Sequence, residues 1–289
     1  MLRCQISAAL LLGAASAAGC RSDAPAPPSA NAPAVTDMPA AVAAPALATR
    51  ADSLAWGAYR AVGGPDVWDR VPYVRFDFAP GQTGQPPSSR RRHLWERRTG
   101  RYRLEARRGD SLFVVLFNTA TRAGEVYQTP DTANAAALAP VPEPQHQAWL
   151  DRAYRSFVND TYWLLQPAKL FDPGVTRAFE PDSSNAARQV VRLSFDQVGL
   201  TPGDRYWLYF APEDAGLYGA WRFHLQGEAA PGPRIVSDRP VTLETPHGRA
   251  TVRTRHRVGE ARYVLTDRVA LPAEVDARHF TDPRALLRD

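Results

Sequence analysis

The sequence predicts a mainly antiparallel β protein with two main helices, an α+β fold. From residue 72 onward, short runs rich in β-branched and aromatic residues alternate with Gly-containing turns, which is typical of a β meander. Two other stretches, near residues 50–62 and 145–166, repeat apolar residues at steps of three and four, as helices do. A chain of 289 residues with 44% hydrophobic and 22% charged residues is ordinary for a globular protein, which excludes a disordered or fibrous one.

The first twenty residues have the layout of a secretory signal. Arg3 is followed by a thirteen-residue apolar stretch, residues 6–18, and by small residues up to Cys20. A membrane-spanning helix needs about twenty apolar residues, so this stretch is too short to be one. We therefore expect residues 1–20 to be a signal peptide.

The run Ala17-Ala18-Gly19-Cys20 resembles the lipobox of bacterial lipoproteins, in which the cysteine is acylated and becomes the mature N-terminus. Leucine is usual where Ala17 stands, and cleavage by an ordinary signal peptidase is the alternative. Cys4 lies in the segment to be removed, so the mature protein has no disulfide. These features predict a lipoprotein anchored through Cys20 in a bacterial envelope, and by resemblance Arg21 favours the outer membrane, facing the periplasm.

Residues 21–49 contain six prolines and eleven alanines and no aromatic residue. Such a segment cannot build a core and predicts a disordered or polyproline-like tether. We expect residues 50–289 to form a single β-rich domain.

That domain is predicted to open with a helix starting near residue 50, because Thr49 and Asp52 have the spacing of a capping box. Gly63-Gly64-Pro65 ends it. Five strands follow, at residues 72–79, 90–98, 101–107, 111–118 and 124–128. In the third, Tyr102, Leu104 and Ala106 are expected to face the core, and Arg101, Arg103, Glu105 and Arg107 to face solvent.

A second helix is predicted between Pro144 and Pro167, with a wide aromatic stripe that should lie against the concave side of a sheet. Seven more strands are then predicted, at residues 175–180, 188–196, 204–211, 219–227, 234–244, 249–257 and 260–269. The order is helix, meander, helix, meander.

Three segments carry a resemblance to a known family: residues 159–170 (NDTYWLLQPAKL), 172–175 (DPGV) and 198–207 (VGLTPGDRYW). They resemble an uncharacterised family of bacterial exported proteins and lipoproteins, whose members are similar in architecture to the LolA/LolB class of lipoprotein carriers. The resemblance covers about residues 50–270. It implies a LolA-like half-open β-barrel with a helix against its concave face and a lipophilic cavity, and it carries over no catalytic or ligand-binding residue.

Two strands, residues 111–118 and 204–211, are apolar or aromatic on both faces and so need two covers. In one interpretation, helices and the 129–145 loop supply both covers. In the other, one face lines a ligand cavity. The cavity candidates are Phe113, Tyr162, Trp163, Trp207, Tyr209 and Trp221.

The motif segments also contain residues with structural interpretations. Lys169 is the only lysine of the chain, and a buried ion pair with Asp160 and Asp172 would fix the corner between the second helix and the next strand; a catalytic or lipid-headgroup role is the alternative. Pro202 and Gly203 predict a tight turn with positive φ at the glycine. The full set is Asp160, Lys169, Asp172, Gly174, Pro202, Gly203 and Asp204.

Searches for catalytic and metal-binding patterns find none: there is no GxSxG, HExxH or P-loop motif, and the six histidines are scattered singly. Since no such pattern is found, no cofactor or metal is predicted. No nucleic-acid partner is predicted either, because a net charge of +5 is too slight to indicate nucleic-acid binding. The arginine runs at residues 90–92, 97–98 and 107–108 are expected on a solvated face, with contact to anionic lipid as the alternative.

The sequence therefore favours a non-enzymatic lipoprotein of the cell envelope, anchored to the membrane by its N-terminal lipid, that binds a lipid or another hydrophobic molecule in its half-barrel. An envelope hydrolase using Asp160, Asp172 or Asp204 is one alternative. A structural module of an envelope complex is another. No particular protein partner is indicated.

Overall fold

The computed structural model describes residues 45–129, 138–196, 200, 203–212 and 216–287. Their α-helices are α1 (Arg50–Ala61), α2 (Gly64–Trp68) and α3 (Gln145–Leu165). Their strands are β1 (Tyr73–Gln82), β2 (Arg91–Glu96), β3 (Arg101–Arg108), β4 (Ser111–Asn118), β5 (Gly124–Thr129), β6 (Ala139–Pro140), β7 (Val175–Phe179), β8 (Gln189–Phe195), β9 (Arg205–Phe210), β10 (Ala220–His224), β11 (Ile235–Thr245), β12 (Gly248–Val258) and β13 (Arg262–Ala270). The predictions for the signal peptide, Cys20, residues 21–44 of the tether and Pro202 lie outside the described residues.

Both predicted helices are confirmed, and their ends follow from local chemistry. The Thr49 hydroxyl accepts a hydrogen bond from the Asp52 amide at 3.0 Å, while the Asp52 carboxylate accepts one from the Thr49 amide at 3.1 Å, which is the capping box. Gly63, with φ of 123°, ends the first segment, and the chain then forms α2, a short helix that was not predicted. A 3-10 turn, Gln166–Lys169, continues α3 past its end.

All twelve predicted strands are present, with ends displaced by at most three residues, and β6 was missed. They form one antiparallel sheet in the order β6-β5-β4-β3-β2-β1-β13-β12-β11-β10-β9-β8-β7. Neighbours in the sheet are neighbours in sequence, except that β1 pairs with β13. The two edges of this sheet are β6 and β7, which lie at opposite ends of the strand order and are not paired with each other, so the sheet is not closed. The chain passes from β6 to β7 through α3.

The sheet curves around α3. Trp163 of the helix contacts Phe78 on β1, with ring centroids 6.4 Å apart, and Trp221 on β10, with centroids 4.9 Å apart. These two strands are four positions apart in the sheet, which corresponds to about 19 Å on a flat surface. A single indole can touch both only because the sheet bends, and α3 therefore lies against its concave face.

The outer face of β3 was predicted to be solvated, but two of its charged residues are buried. Arg103 is 0% exposed and Glu105 is 1% exposed, because the C-terminal segment, residues 276–287, covers them. Strict alternation of charged and apolar residues predicts that one face of the strand is exposed to solvent. A charged side chain can nevertheless be buried when another segment of the protein, here the C-terminal one, supplies its hydrogen-bonding partners.

The arginine runs also differ from the expected solvated face. Arg90 pairs with Asp77 and Asp267, Arg91 pairs with Asp160, and Arg97 donates to the Trp68 and Val71 carbonyls. Arg107 and Arg108, at the β3–β4 turn, are exposed as predicted. Within the described part of the chain, no helix combines the length and the apolar character required to cross a membrane.

Candidate functional site

An open cavity lies between the C-terminal half of α3 and strands β8 to β10. Its volume is about 300 Å³, and we call it the aromatic groove. Volumes of this size are at the lower end of the range for small-molecule sites. Its lining consists of Val158, Asn159, Tyr162, Trp163, Phe195, Leu200, Asp204, Tyr206, Trp221, Phe223 and Leu225.

Six aromatic rings form the walls of the aromatic groove through edge-on and stacked contacts. Tyr162 lies edge-on to Tyr206 with centroids 5.3 Å apart, and Trp163 lies edge-on to Trp221 at 4.9 Å. Tyr206 stacks with Trp221 at 5.8 Å. Burial raises the pKa of both Tyr162 and Tyr206, so their hydroxyls stay protonated and the walls carry no tyrosinate charge at neutral pH. The rings therefore present an apolar surface.

Three of the six cavity candidates, Tyr162, Trp163 and Trp221, come together in this groove. Phe113 does not: it stacks on Trp149 at 3.7 Å, in a filled part of the core near the N-terminal end of α3. That contact uses the ring as core packing rather than as a cavity wall.

Trp207 and Tyr209 also lie outside the aromatic groove, since successive side chains of a strand point to opposite faces. On β9 the inward positions are occupied by Tyr206, Leu208 and Phe210, two of which are buried in the main core. Tyr209 is instead approached by the guanidinium groups of Arg188 at 5.5 Å and Arg234 at 5.6 Å.

A larger cavity, of about 600 Å³, lies where α1, α2 and the 3-10 turn after α3 meet the start of β7; we call it the corner cleft. Its walls combine aromatic rings with charges of both signs. Arg97 is largely buried, and burial lowers its pKa although nearby Asp69 opposes the shift. The lining includes Trp56, Tyr59, Trp68, Asp69, Trp95, Arg97, Lys169, Phe171, Asp172 and Gly174.

The predicted buried triad of Lys169, Asp160 and Asp172 does not form. Lys169 Nζ lies 3.0 Å from Asp172 Oδ2, so this pair exists, but its side chains are 27% and 45% exposed. Asp160 is elsewhere, because it lies on the face of α3 that packs on β2. Gly174, at the corner, has φ of 81°, a left-handed conformation that favours glycine.

Asp160 belongs to a buried polar cluster that the sequence did not reveal. Its carboxylate accepts two hydrogen bonds from Arg91, at 2.6 and 2.9 Å, and lies 3.1 Å from His93 Nε2. The other His93 nitrogen is 2.8 Å from the Tyr102 hydroxyl. Burial would raise the pKa of Asp160, but His93 and Arg91 together lower it, while burial lowers the pKa of His93. The cluster fastens α3 to β2 and β3.

A small inner cavity lies behind Trp163, with a volume of about 20 Å³. His256 is fully buried in its wall, and its two ring nitrogens lie 2.8 Å from Ser237 Oγ and 3.1 Å from Thr266 Oγ1. Burial, with the charge of Arg253 added, lowers the pKa of His256 to about 3, so the ring is neutral at physiological pH. Polar members of the lining are Gln166, Tyr218, Ser237, Thr251, Arg253 and His256.

The turn before β9 has a different conformation from the predicted one. Gly203 does not have a positive φ, in contrast to ten other glycines of the described residues. Asp204 is buried, and its carboxylate accepts a hydrogen bond from the Gln226 amide at 2.8 Å, which joins the start of β9 to the end of β10. Asp204 thus fixes one end of the aromatic groove.

The carboxylates considered for catalysis lie in three separate environments. Asp160 is in the buried cluster, Asp172 is in the corner cleft and Asp204 is at the end of the aromatic groove. Across the described residues, no group of three or more His, Cys, Asp and Glu side chains is arranged to hold a metal ion. General acid and base work needs two groups within reach of one substrate, and these three do not line a common cavity.

Comparisons with known proteins leave the family open. No family model matches the sequence, and no curated protein matches it. Among solved structures, the chain is similar to a DUF1329 family protein from Desulfovibrio piger ATCC 29098, with 8% sequence identity and a TM-score of 0.44. That similarity covers 80% of this chain and 96% of the other.

Proposed function

We propose that this protein is a non-enzymatic binding protein of the bacterial cell envelope, anchored through a lipid on Cys20, which holds a lipid or another apolar molecule in the aromatic groove. The observation that carries this proposal is the groove itself: an open, ring-lined cavity of about 300 Å³ on the concave side of the sheet. An outer-membrane location facing the periplasm is part of the proposal and is supported by the residues around Cys20.

An apolar ligand gains free energy when its surface moves from water to the apolar lining of the aromatic groove. Leu200 and Leu225 line it and are exposed hydrophobic residues, at 44% and 37%. Transfer of each methylene group from water to such a surface is worth about 0.8 kcal/mol, and this gain must exceed the cost of immobilising the ligand. The contacts are not directional, so the groove favours shape and hydrophobicity over a particular head group.

A LolA-like carrier architecture belongs to the same proposal. An open antiparallel sheet curved around α3 supports it, as do the motif segments at residues 159–170, 172–175 and 198–207. The carboxylates considered for a hydrolase have structural partners, including Arg91 for Asp160 and the Gln226 amide for Asp204. A binding role accounts for the groove and does not require these carboxylates to act as catalytic groups.

The experiment uses the full chain extracted gently from membranes and two matched variants of β9. Native mass spectrometry reports any copurified ligand, and titration with a fluorescent fatty acid reports affinity. Tyr206→Ala removes a wall of the groove, whereas Tyr209→Ala removes the same side chain from the opposite face of the same strand. We expect the first variant to weaken binding roughly tenfold, which corresponds to about 1.4 kcal/mol, and the second to leave it unchanged. An empty protein that ignores the fluorescent fatty acid, or equal losses in both variants, would overturn the proposal.

A further inference from the structure

The convex face of strands β8 to β10, opposite the aromatic groove, carries two aromatic rings that the groove does not use. Trp207 and Tyr209 are two residues apart on β9, so they point to the same side of the sheet. Both are partly exposed to solvent. Tyr206 points to the other side, into the aromatic groove. We call the surface around the two rings the arginine–aromatic face, and it consists of Arg188, Arg192, Trp207, Tyr209, Arg222 and Arg234.

The Trp207 ring lies between two arginines. Arg192 on β8 and Arg222 on β10 are its cross-strand partners, and side chains directly opposed in neighbouring antiparallel strands lie on the same face. Arg192 is paired with Glu180 at 2.7 Å. Arg222 donates instead to the Gly232 carbonyl at 3.0 Å, a neutral acceptor that does not cancel its charge. The indole therefore lies beside a positive charge that no carboxylate neutralises.

The Tyr209 ring also lies between two arginines. The guanidinium carbons of Arg188 and Arg234 are 5.5 and 5.6 Å from its centroid, and both side chains are exposed. Among the residues that the structure describes, no carboxylate forms an ion pair with Arg188, Arg222 or Arg234. The arginine–aromatic face thus presents four arginines, and the one carboxylate paired with them is Glu180, so positive charge is in excess there.

This combination of rings and charges fits an anionic lipid surface. Trp and Tyr are the residues enriched where a membrane meets water, because their rings are apolar and their N–H or O–H groups stay hydrated. A guanidinium group can donate two parallel hydrogen bonds to a phosphate. Anionic membrane surfaces attract such groups electrostatically. A soluble anion would use the charges alone, whereas a lipid surface also receives the partly exposed rings.

We propose that the arginine–aromatic face docks on an anionic phospholipid surface, with Trp207 and Tyr209 at the level of the head groups and the arginines bound to lipid phosphates. This inference takes from the proposed function only the membrane location, and it does not depend on the ligand of the groove. The face lies on the other side of β9 from the aromatic groove. Docking therefore leaves the groove directed away from the lipid.

The test places the full chain on two kinds of vesicle, one of phosphatidylcholine alone and one of about two parts phosphatidylcholine to one part phosphatidylglycerol. Flotation reports attachment, and hydroxyl-radical footprinting read by mass spectrometry reports the solvent access of each aromatic side chain. We expect modification of Trp207 and Tyr209 to be at least about threefold lower on the anionic vesicles, and to recover in about 0.5 M salt. Tyr127 is the internal reference: it is partly exposed on β5, near the other edge of the sheet, and should not change.

Two double variants separate this face from the overall charge of the protein. Arg188→Gln with Arg234→Gln removes two exposed arginines of the face, neither of which forms an ion pair in the described part of the chain. Arg107→Gln with Arg108→Gln removes the same charge from the exposed β3–β4 turn. We expect the first to lower the ratio of docked to undocked protein about tenfold, because two phosphate contacts are lost. The second should keep the protection of Trp207 and Tyr209.

The outcomes distinguish this inference from the proposed function. Equal modification on both kinds of vesicle, with the chain attached to both, would overturn this inference alone. Attachment to neither would overturn the lipid anchor and this inference together. Attachment to the anionic vesicles alone, with Trp207 and Tyr209 protected, would support this inference and contradict the anchor.

Two further results would overturn the docking surface. Equal loss of protection in the two double variants would show that net charge, and not this face, attracts the chain. Protection of Trp207 and Tyr209 by dextran sulfate but not by the anionic vesicles would assign the face to a soluble polyanion instead of a lipid surface.

Discussion

Arg103 and Glu105, two residues apart on the outer face of β3, hold the C-terminal segment by opposite kinds of hydrogen bond. The Arg103 guanidinium donates to the carbonyls of His279, Asp282 and Arg284. The Glu105 carboxylate accepts from the amides of Leu286 and Leu287 at 2.7 and 3.0 Å, and it also pairs with Arg103 at 2.6 Å. Two buried charges thus satisfy the backbone of a segment with little regular structure.

The first prediction concerns this attachment. Arg103→Met should destabilise the protein by about 3–5 kcal/mol, because it leaves the Glu105 charge buried without its partner. It should also release residues 276–287 to limited proteolysis. Urea unfolding and the position of the first proteolytic cuts measure the two effects.

Arg107→Met is the control, since Arg107 lies on the same strand and is exposed. We expect a change within about 0.5 kcal/mol, as for most surface substitutions. If Arg103→Met unfolded at the same urea concentration as this control, the C-terminal segment would not depend on the buried pair.

The buried pair also marks a limit of what could be predicted from the sequence. Alternation of apolar and polar residues located β3 to within one residue, because periodicity is a local property. It placed Arg103 and Glu105 in solvent, because their partners lie more than 170 residues away in the chain. Long-range cover of this kind leaves no periodic signal.

The aromatic groove was only partly predictable for a related reason. Strand periodicity divides β9 into two sets, Tyr206 with its inward neighbours and Trp207 with Tyr209, but both sets are aromatic. Composition therefore could not decide which set faces α3, and Tyr206 was missed.

The second prediction concerns the buried cluster around Asp160. Asp160→Asn removes the charge that accepts both hydrogen bonds from Arg91, and we expect a loss of about 3 kcal/mol in unfolding free energy. Asp151→Asn is the matched control on the same helix: Asp151 is exposed and accepts a hydrogen bond from Gln147 at 3.0 Å. Equal stabilities of the two variants in urea would show that the cluster does not fasten α3 to the sheet.

The third prediction concerns the ion pair of Lys169 with Asp172. Both side chains are partly exposed, and exposed pairs contribute about 0–1 kcal/mol. Lys169→Arg should therefore leave the thermal unfolding midpoint nearly unchanged. A fall in the unfolding midpoint comparable to that of Asp160→Asn would instead support the buried ion pair that the sequence predicted at this corner.

The fourth prediction is a pH dependence that originates in His256. Its pKa is lowered from 6.5 to about 3 in the folded protein, so below pH 6.5 the unfolded chain binds a proton that the folded chain does not. Stability should fall as pH decreases from 6.5 towards 3, by up to about 1.4 kcal/mol per pH unit from this residue. Burial lowers the pKa of His93 as well, which adds to the loss in the same direction.

Urea unfolding between pH 6.5 and 5 separates the effect of the buried histidines from that of ordinary carboxylates, which titrate mainly below that window. His256→Gln should be less stable than the wild type at pH 7 but should show a shallower decline towards pH 5. His224→Gln is the control, since the partly exposed His224 ring lies 2.8 Å from the Glu228 carbonyl, and this variant should keep the full decline. The same slope in His256→Gln as in the wild type would mean that His256 takes up its proton equally in both states, and would remove the neutral ring from the wall of the inner cavity.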